Sequence, residues 1–360
     1  MLQVTAEFEK AKSMKLGMVL GYSGADMASP MERVLEAERL GFDSVWSSEA
    51  YGSDAVSPAA WVLARTTRIK AGTAIMQMPA RTPAMTAMTA MTLDALSGGR
   101  FVLGIGPSGP QVVEGWYGVA YGKPLVRTRE YIEIIRKILA RNEPLTFAGE
   151  HYHIPYTGPD ATGLGKPLRS IMHANPSIKI YTATIAPASI RSSAEIADGM
   201  FPIFMNPERF ELFEPHLNAG FAKSRNQKSL ANYAICPFVP VSMADDIEEA
   251  RLPIKQELAL YIGGMGARDK NFYNDYAKRL GYEAAAIRIQ DAFLGGRKTE
   301  AAAAVPDALV DEIALVGSAD RIRDRLAAWK DAGKQRHVDS MLLRGNTTVE
   351  ALRLIAEAVL

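Results

Sequence analysis

Short apolar runs alternate along the chain with longer stretches whose apolar residues recur every three or four positions. The first run, residues 15–20, predicts a strand. Residues 30–40 carry Val34, Leu35, Ala37 and Leu40 on one face and stop at Gly41, which predicts a helix. The same pattern predicts strands at 42–46, 69–76, 100–105, 178–183, 200–204, 233–241 and 313–316. It predicts helices at 82–96, 126–140, 187–197, 207–222, 321–332 and 349–359. Residues 337–343 read as one strand more than the eight. Met85, Met88 and Met91, three apart, read as a core-packing stripe.

Strict alternation of strand and helix implies a parallel sheet covered by helices. Eight such units over this length favour an α/β fold of the closed (β/α)8 TIM-barrel kind over an open doubly wound sheet. Residues 1–13 read as a flexible extension and 14–360 as one barrel domain. Insertions are expected near 106–125, at 141–177 (with a hairpin at 149–154) and at 244–312. The last reads as helical, with breaks at Gly263-Gly264 and Gly295-Gly296, and is too long for one barrel helix.

Charge narrows the function. Lys and Arg number 41 against 40 Asp and Glu, so the chain lacks the basic excess of a general nucleic-acid or anionic-membrane binder. The lone cysteine, Cys236, lies in the run Tyr233-Ala234-Ile235-Cys236-Pro237-Phe238 and reads as a buried small hydrophobe. No stretch has the roughly 18 apolar residues of a membrane span, and the first residues lack a signal-peptide pattern. The expectation is a cytoplasmic protein.

In a barrel of this kind the chemistry sits in the loops after the strands. After the second strand stands Glu49, a candidate to accept from a ring N–H or to relay a proton. The third strand ends in Thr73-Ala74-Ile75, where small residues suit a backbone that bulges toward a flat ligand. Arg81 follows as a candidate anion holder. The fourth strand runs into Gly104-Ile105-Gly106-Pro107-Ser108-Gly109. This matches G-x-G-x-x-G in form, but Pro107 and Pro110 interrupt it, so Gly106 and Ser108 read as close backbone approach and not as a dinucleotide fingerprint. The fifth strand ends in Ala183-Thr184-Ile185-Ala186-Pro187 at a helix start, where free N–H groups suit a phosphate. Tyr22, Tyr51 and Trp116, with Trp46 and Tyr117, suggest an aromatic mouth for a small-molecule substrate. None of the five histidines has metal-site spacing, so no metal is expected.

Several blocks in order carry a resemblance. They are Leu40-Gly41-Phe42-Asp43-Ser44-Val45-Trp46, Ala80-Arg81-Thr82-Pro83, Leu93-Asp94-Ala95-Leu96-Ser97-Gly98-Gly99-Arg100-Phe101-Val102-Leu103-Gly104-Ile105-Gly106 and Ala194-Glu195-Ile196-Ala197-Asp198-Gly199. The chain resembles the bacterial luciferase-like monooxygenase superfamily, and within it the deazaflavin-dependent branch that includes methylenetetrahydromethanopterin reductase. Ser108 through Gly118 and Tyr261-Ile262-Gly263-Gly264-Met265-Gly266 also resemble that branch.

The resemblance implies an isoalloxazine-like ring at the barrel mouth, backed by a non-prolyl cis peptide at Ala74-Ile75. Glu49 matches the acid after the second strand, which would anchor or tune the ring. Glu114 matches an acidic loop position, a proton donor or acceptor. Gly106 and Ser108 would approach the cofactor, and Ala183 and Thr184 would hold its phosphate region. The implied activity is that of a deazaflavin (coenzyme F-420)-dependent oxidoreductase moving hydride to or from an imine, an activated C=C bond or a carbonyl. An FMN-dependent two-component monooxygenase, fed by a separate reductase, is the alternative, and a cofactor-free barrel with a binding or assembly role is a third reading. A homodimer is expected. Two departures bear on ligands. Ala50 stands where sugar-phosphate oxidisers carry histidine, and Met205-Asn206 lacks their lysine, so a sugar phosphate is not expected. Ile185 stands where the family is glycine-rich and is expected to crowd a phosphate.

Overall fold

Each apolar run forms a strand because its side chains are buried on both faces, alternately against helices and against the inside of a ring. The computed structural model describes residues 14–21, 25–27, 30–268, 270–345 and 347–360. The expected extension at 1–13 and Tyr22 lie outside them. The ring begins with β1 (Lys15–Gly21), β2 (Ser44–Ser47), β3 (Lys70–Thr73) and its continuation β4 (Met76–Gln77), then β5 (Phe101–Gly106). After a small antiparallel hairpin, β6 (Phe147–Ala148) with β7 (His153–Ile154), come β8 (Ile180–Ala183) and β9 (Gly199–Phe201). The seventh ring strand is in two pieces, β10 (Ala234–Ile235) and β11 (Phe238–Met243). β10 pairs with β9 and β11 with β13 (Ser340–Arg344), which pairs with β1, so the parallel ring closes.

That closure corrects the expected eighth strand. The run at 313–316 yields β12 (Leu315–Gly317), which among the described residues pairs only with β11, whereas the supernumerary run at 337–343 yields β13. Both runs hold a short stretch of buried apolar residues, Ile313 to Val316 and Met341 to Leu343, so their pattern does not tell which one meets β1.

Inside the ring sits an aromatic plug. Trp46, Val102, Phe201, Cys236 and Leu342 form one cluster with Tyr181 and Phe238 against it. Trp46 meets Phe201 edge-on at 5.0 Å and stacks on Tyr181 at 5.9 Å, and Phe201 stacks on Phe238 at 5.6 Å. Trp46 Nε1 donates to Ser44 Oγ (2.9 Å). Trp46 is therefore plug and not mouth. Glycines make the room. A Cβ on Gly72 would lie 2.5 Å from the Trp46 ring, and one on Gly104 would overlap the Thr73 carbonyl oxygen and lie 2.7 Å from Phe201.

Around the ring lie α1 (Met31–Leu40), α2 (Val56–Arg65), α3 (Pro83–Ser97), α4 (Pro110–Gly115), α5 (Pro124–Ala140), α6 (Pro187–Ile196) and α7 (Glu214–Phe221). The sequence reading assigns no element to 53–68, where α2 lies. Asp54 starts α2 by accepting from the N–H groups of Val56 and Ser57, both at 2.8 Å. The helix expected from 207 begins only at Glu214, after a 3-10 turn at Phe210–Leu212, with Pro215 in its first turn, where no amide hydrogen is needed. In α3 the core face is made of Thr86, Ala87, Ala90 and Met91, while Met85 and Met88 are 52% and 55% exposed. A spacing of three slips about 60° per step around a helix, so the methionine stripe crosses from one face to the other.

The long insertion is five helices, α8 (Ile247–Ala259), α9 (Phe272–Arg279), α10 (Glu283–Leu294), α11 (Lys298–Ala303) and α12 (Asp307–Ile313), with a π turn at Leu260–Gly264 after α8. Gly263 and Gly264 let that turn lie against Phe293. Helices α13 (Ala319–Lys334) and α14 (Val349–Val359) complete the layer. The hairpin insertion is fastened by Glu130 of α5, whose carboxylate accepts from the N–H groups of Glu150 (2.6 Å), His151 (2.9 Å) and Tyr152 (3.2 Å). Among the described residues no helix is long and apolar enough to cross a membrane.

Gly104→Ala is expected to destabilise the fold by about 3 kcal/mol, because plug and backbone must both shift. Gly115→Ala, where an added Cβ meets nothing, is the control and should stay within about 1 kcal/mol of the parent. Denaturant midpoints check both; equal midpoints for the two variants would contradict the packed plug.

Candidate active site

A buried carboxylate organises one side of the barrel mouth. Glu49 follows β2 and is 7% exposed. Its Oε1 accepts from Gln77 N–H (2.6 Å) and Arg81 Nη1 (2.5 Å), and its Oε2 from Ala55 N–H (2.9 Å) and Arg81 Nη2 (3.1 Å). Gln77 Nε2 donates to the Glu49 carbonyl (2.8 Å). Glu49 and Arg81, both singled out from sequence, are thus brought together as a bidentate pair. Gln77 Oε1 is buried and has no hydrogen-bond partner among the described residues. Tyr117 stands beside the pair and donates to the Ala50 carbonyl (3.4 Å); burial and then the Glu49 charge push its hydroxyl above the usual tyrosine value.

Next to this node three ring strands present small, apolar positions. The peptide Ala74-Ile75 is cis, at the expected position. Ile75 packs on the plug, and a Cβ on Gly106 would overlap Ile75 Cδ1 and lie 3.5 Å from Ala183 Cβ. Ile75, Gly106 and Ala183 therefore converge, as their places at strand ends suggest. Thr73 and Thr184 do not offer hydroxyls here. Thr73 Oγ1 bridges the Gly104 carbonyl (2.7 Å) and N–H (3.1 Å), and Thr184 Oγ1 faces Met200 Sδ (3.3 Å).

The loop after β5 covers one flank. Ser108 has φ 61°, and its carbonyl accepts from Tyr121 Oη (3.5 Å). Glu114 is exposed and its Oε1 accepts from Tyr121 N–H (3.3 Å). Tyr51 and Trp116 are 63% and 66% exposed, on two loops that the Tyr117–Ala50 contact joins.

The opposite flank comes from residues to which the sequence reading gave no role. Phe204 after β9 meets Tyr261 at 5.4 Å, and Tyr261 meets Tyr273 at 4.8 Å, both edge-on. The Arg344 guanidinium, at the end of β13, lies 5.9 Å from the Tyr261 ring centroid and pairs with Glu257. Burial pushes the Tyr273 hydroxyl up to about 12, with Tyr121 adding to it. The only sequence signal here was the block Tyr261 to Gly266, where Gly263-Gly264 reads as a helix break.

At the fifth-strand end Ile185 packs on the main core, and its carbonyl accepts from Arg279 Nη2 (3.1 Å). The start of α6 has no side-chain cap, which leaves the amides of Ala188 and Ser189 for a ligand.

Arg81→Met leaves the buried Glu49 carboxylate without its charge partner and is expected to destabilise the protein by about 3 kcal/mol. Arg81→Lys should recover part of that loss. A guanidinium denaturation series checks the order; an unchanged Met variant would show that the pair contributes nothing to the fold.

Comparison with known proteins gives a consistent picture. A family model described as luciferase-like monooxygenase matches residues 14–336. A Mycobacterium tuberculosis protein with the provisional name coenzyme F-420-dependent oxidoreductase is 47% identical over 322 residues, covering 89% of this chain and 93% of the relative. A 5,10-methylenetetrahydromethanopterin reductase of Archaeoglobus fulgidus is 29% identical over 301 residues, 82% of this chain and 84% of the relative. Among solved structures, the coenzyme F-420-dependent tetrahydromethanopterin reductase of Methanopyrus kandleri superposes with a TM-score of 0.76 at 22% identity, covering 96% of this chain and 98% of that one.

Proposed function

The chain belongs to the luciferase-like monooxygenase family and is an oxidoreductase of it, and from that premise we propose that it binds a deazaflavin, coenzyme F-420, and passes hydride between it and a small organic substrate. The observation that carries this reading is the convergence of Ile75, Gly106 and Ala183 at the top of the plug, where even one added methyl on Gly106 has no room beside Ile75. A flat ring fits such a floor. The bound deazaflavin supplies a carbon that gives or takes the hydride.

In this reading the protein orients and encloses. Ile75 backs the ring, and Gly106 and Ser108 let main chain approach its edge. Glu49 acts as a positioning residue and not as a proton relay, since four donors already occupy its carboxylate. Glu114, exposed and held by Tyr121 N–H, exchanges the proton that accompanies reduction of an imine, an activated C=C bond or a carbonyl. Phe204, Tyr261 and Tyr273, with Tyr51 and Trp116 on the rim, favour an apolar or aromatic substrate. The uncapped start of α6, with Ala183 and Thr184 leading into it, receives the phosphate through main-chain N–H groups. The floor takes an FMN ring equally well; the relatives at 47% and 29% identity favour the deazaflavin. A partner reductase for the cofactor, a cytoplasmic setting and a single barrel domain complete the reading.

Titration with coenzyme F-420 and with FMN, followed by ring fluorescence, is expected to show tighter binding of the deazaflavin. Gly106→Val, which drives Ile75 or the new side chain into the floor, should weaken that binding at least about tenfold. Preference for FMN would move the protein to oxygen-dependent chemistry, and binding of neither ring would overturn the proposal.

A homodimer is also proposed. Trp61 (50% exposed), Met85 and Met88 stand on α2 and α3, helices that pack together, and form an apolar face suited to a second copy. Sedimentation is expected to give a dimer and Met88→Glu to shift it toward monomer; a monomeric parent would end this assignment.

A further inference from the structure

Most arginines of this chain sit in ion pairs; in the sector around the fifth-strand end Arg129 pairs with Glu195, Arg136 with Asp198 and Arg209 with Glu211. Two arginines of that sector make no ion pair among the described residues, Arg191 of α6 and Arg279 of α9. Arg279 reaches the main chain just before α6, and Arg191 stands one turn into that helix, which packs on α7, the helix of His216. Burial lowers the His216 imidazole below its usual value, and the charges of Arg191 and Arg279 lower it further. Gly220 lets α7 lie close on α6, because a Cβ there would overlap the Arg191 carbonyl oxygen and lie 2.5 Å from Ala194 Cβ.

Arg279 is an unusual cation. It reaches from the helical insertion to the Ile185 carbonyl (3.1 Å) and lies over the Tyr276 ring at 5.4 Å. The nearest acid acting on it is Asp275, one turn back on its own helix, and burial outweighs that help, holding Arg279 below the usual arginine value. Tyr276 is 2% exposed, and its hydroxyl lies near Arg209 and Arg279 with no hydrogen-bond partner among the described residues. Holding an unpaired, half-buried cation costs stability unless an anion is bound in the working state. The Ile185 carbonyl that Arg279 reaches lies two residues before the uncapped start of α6.

We infer that Arg191, His216 and Arg279 form a binding groove for carboxylates carried beyond the phosphate of the bound cofactor, as on the tail of coenzyme F-420. The inference rests on the deazaflavin reading above and goes beyond it. The floor recognises the ring, the α6 amides the phosphate, and this groove the carboxylate arm. FMN, which ends at its phosphate, gains nothing from the groove.

The test titrates the parent, Arg279→Gln and Arg191→Gln with three probes: coenzyme F-420, the deazaflavin 5′-phosphate without a tail, and the deazaflavin with neither phosphate nor tail. Both substitutions are expected to weaken coenzyme F-420 about tenfold or more and to leave both tail-free probes within about twofold. Arg279→Lys should recover part of the loss, and the parent's preference for the tailed probe should shrink as salt rises. Arg191 is exposed, so its variant keeps the test open if Arg279→Gln does not fold. Equal losses for the tailed probe and the 5′-phosphate would assign the groove to phosphate and overturn the inference, as would no loss for either. If the parent binds the untailed deazaflavin but does not prefer the tailed one, the groove fails while the ring site stands. If the parent binds no probe, the deazaflavin reading itself has failed.

Discussion

The Glu49 carboxylate is buried at the point where four segments meet, and the arrangement of the mouth depends on how that charge is compensated. A carboxylate taken out of water is costly unless nearly every lone pair finds a donor. Here the donors are the Ala55 N–H at the start of α2, the Gln77 N–H on β4 and both terminal nitrogens of Arg81 just before α3. Meeting that demand fixes the position of β4, and β4 fixes where Ile75 lies over the plug. A group that looks like a catalytic acid in sequence is thus the reason the floor is where it is. Its chemistry is spent on geometry.

The plug sets the second constraint. Trp46, Phe201 and Phe238 fill the ring only because Gly72 and Gly104 have no side chains to compete with them. Close-packed interiors transmit such choices over distance. The height of the plug decides how deep a flat ligand can sit, and Gly106 beside Ala183 keeps that level clear. Polar compensation on the β2–β4 side and aromatic packing on the β9–β13 side give the mouth two unlike flanks.

How far this could be read from residues alone follows from which interactions are local. The strand ends Thr73-Ala74-Ile75, Gly106 and Ala183 were legible, since runs of small residues after apolar strands mark places of close backbone approach. The order of strands and helices was legible for the same reason, as it depends on periodicity within short windows. Ring closure was not. Leu315–Gly317 and Ser340–Arg344 both have buried apolar centres, and only pairing across the whole chain separates them. The state of Glu49 was hidden because its partners lie as many as 32 residues away. The wall of Tyr261 and Tyr273 was hidden inside a stretch that reads as generic helix, since its meeting with Phe204 and Arg344 is created by the fold.

Near-neutral net charge had excluded a broad basic surface, and the structure shows why that exclusion leaves room for local anion recognition. Almost equal numbers of acids and bases allow most arginines a carboxylate partner, and pairing then removes them from the pool of binding groups. What remains is informative because it is unpaired. Arg279 sits half-buried on an insertion helix, against the carbonyl of Ile185 and above Tyr276, with no carboxylate partner among the described residues. The insertion from α8 to α12 thereby contributes twice, with an aromatic flank of the mouth and a cation beside the start of α6. Floor and Glu49 node come from the barrel, while the features that can tell one ligand from another come largely from the inserted helices. A barrel of this design can change specificity through its insertions without disturbing the packing of its plug and strand ends.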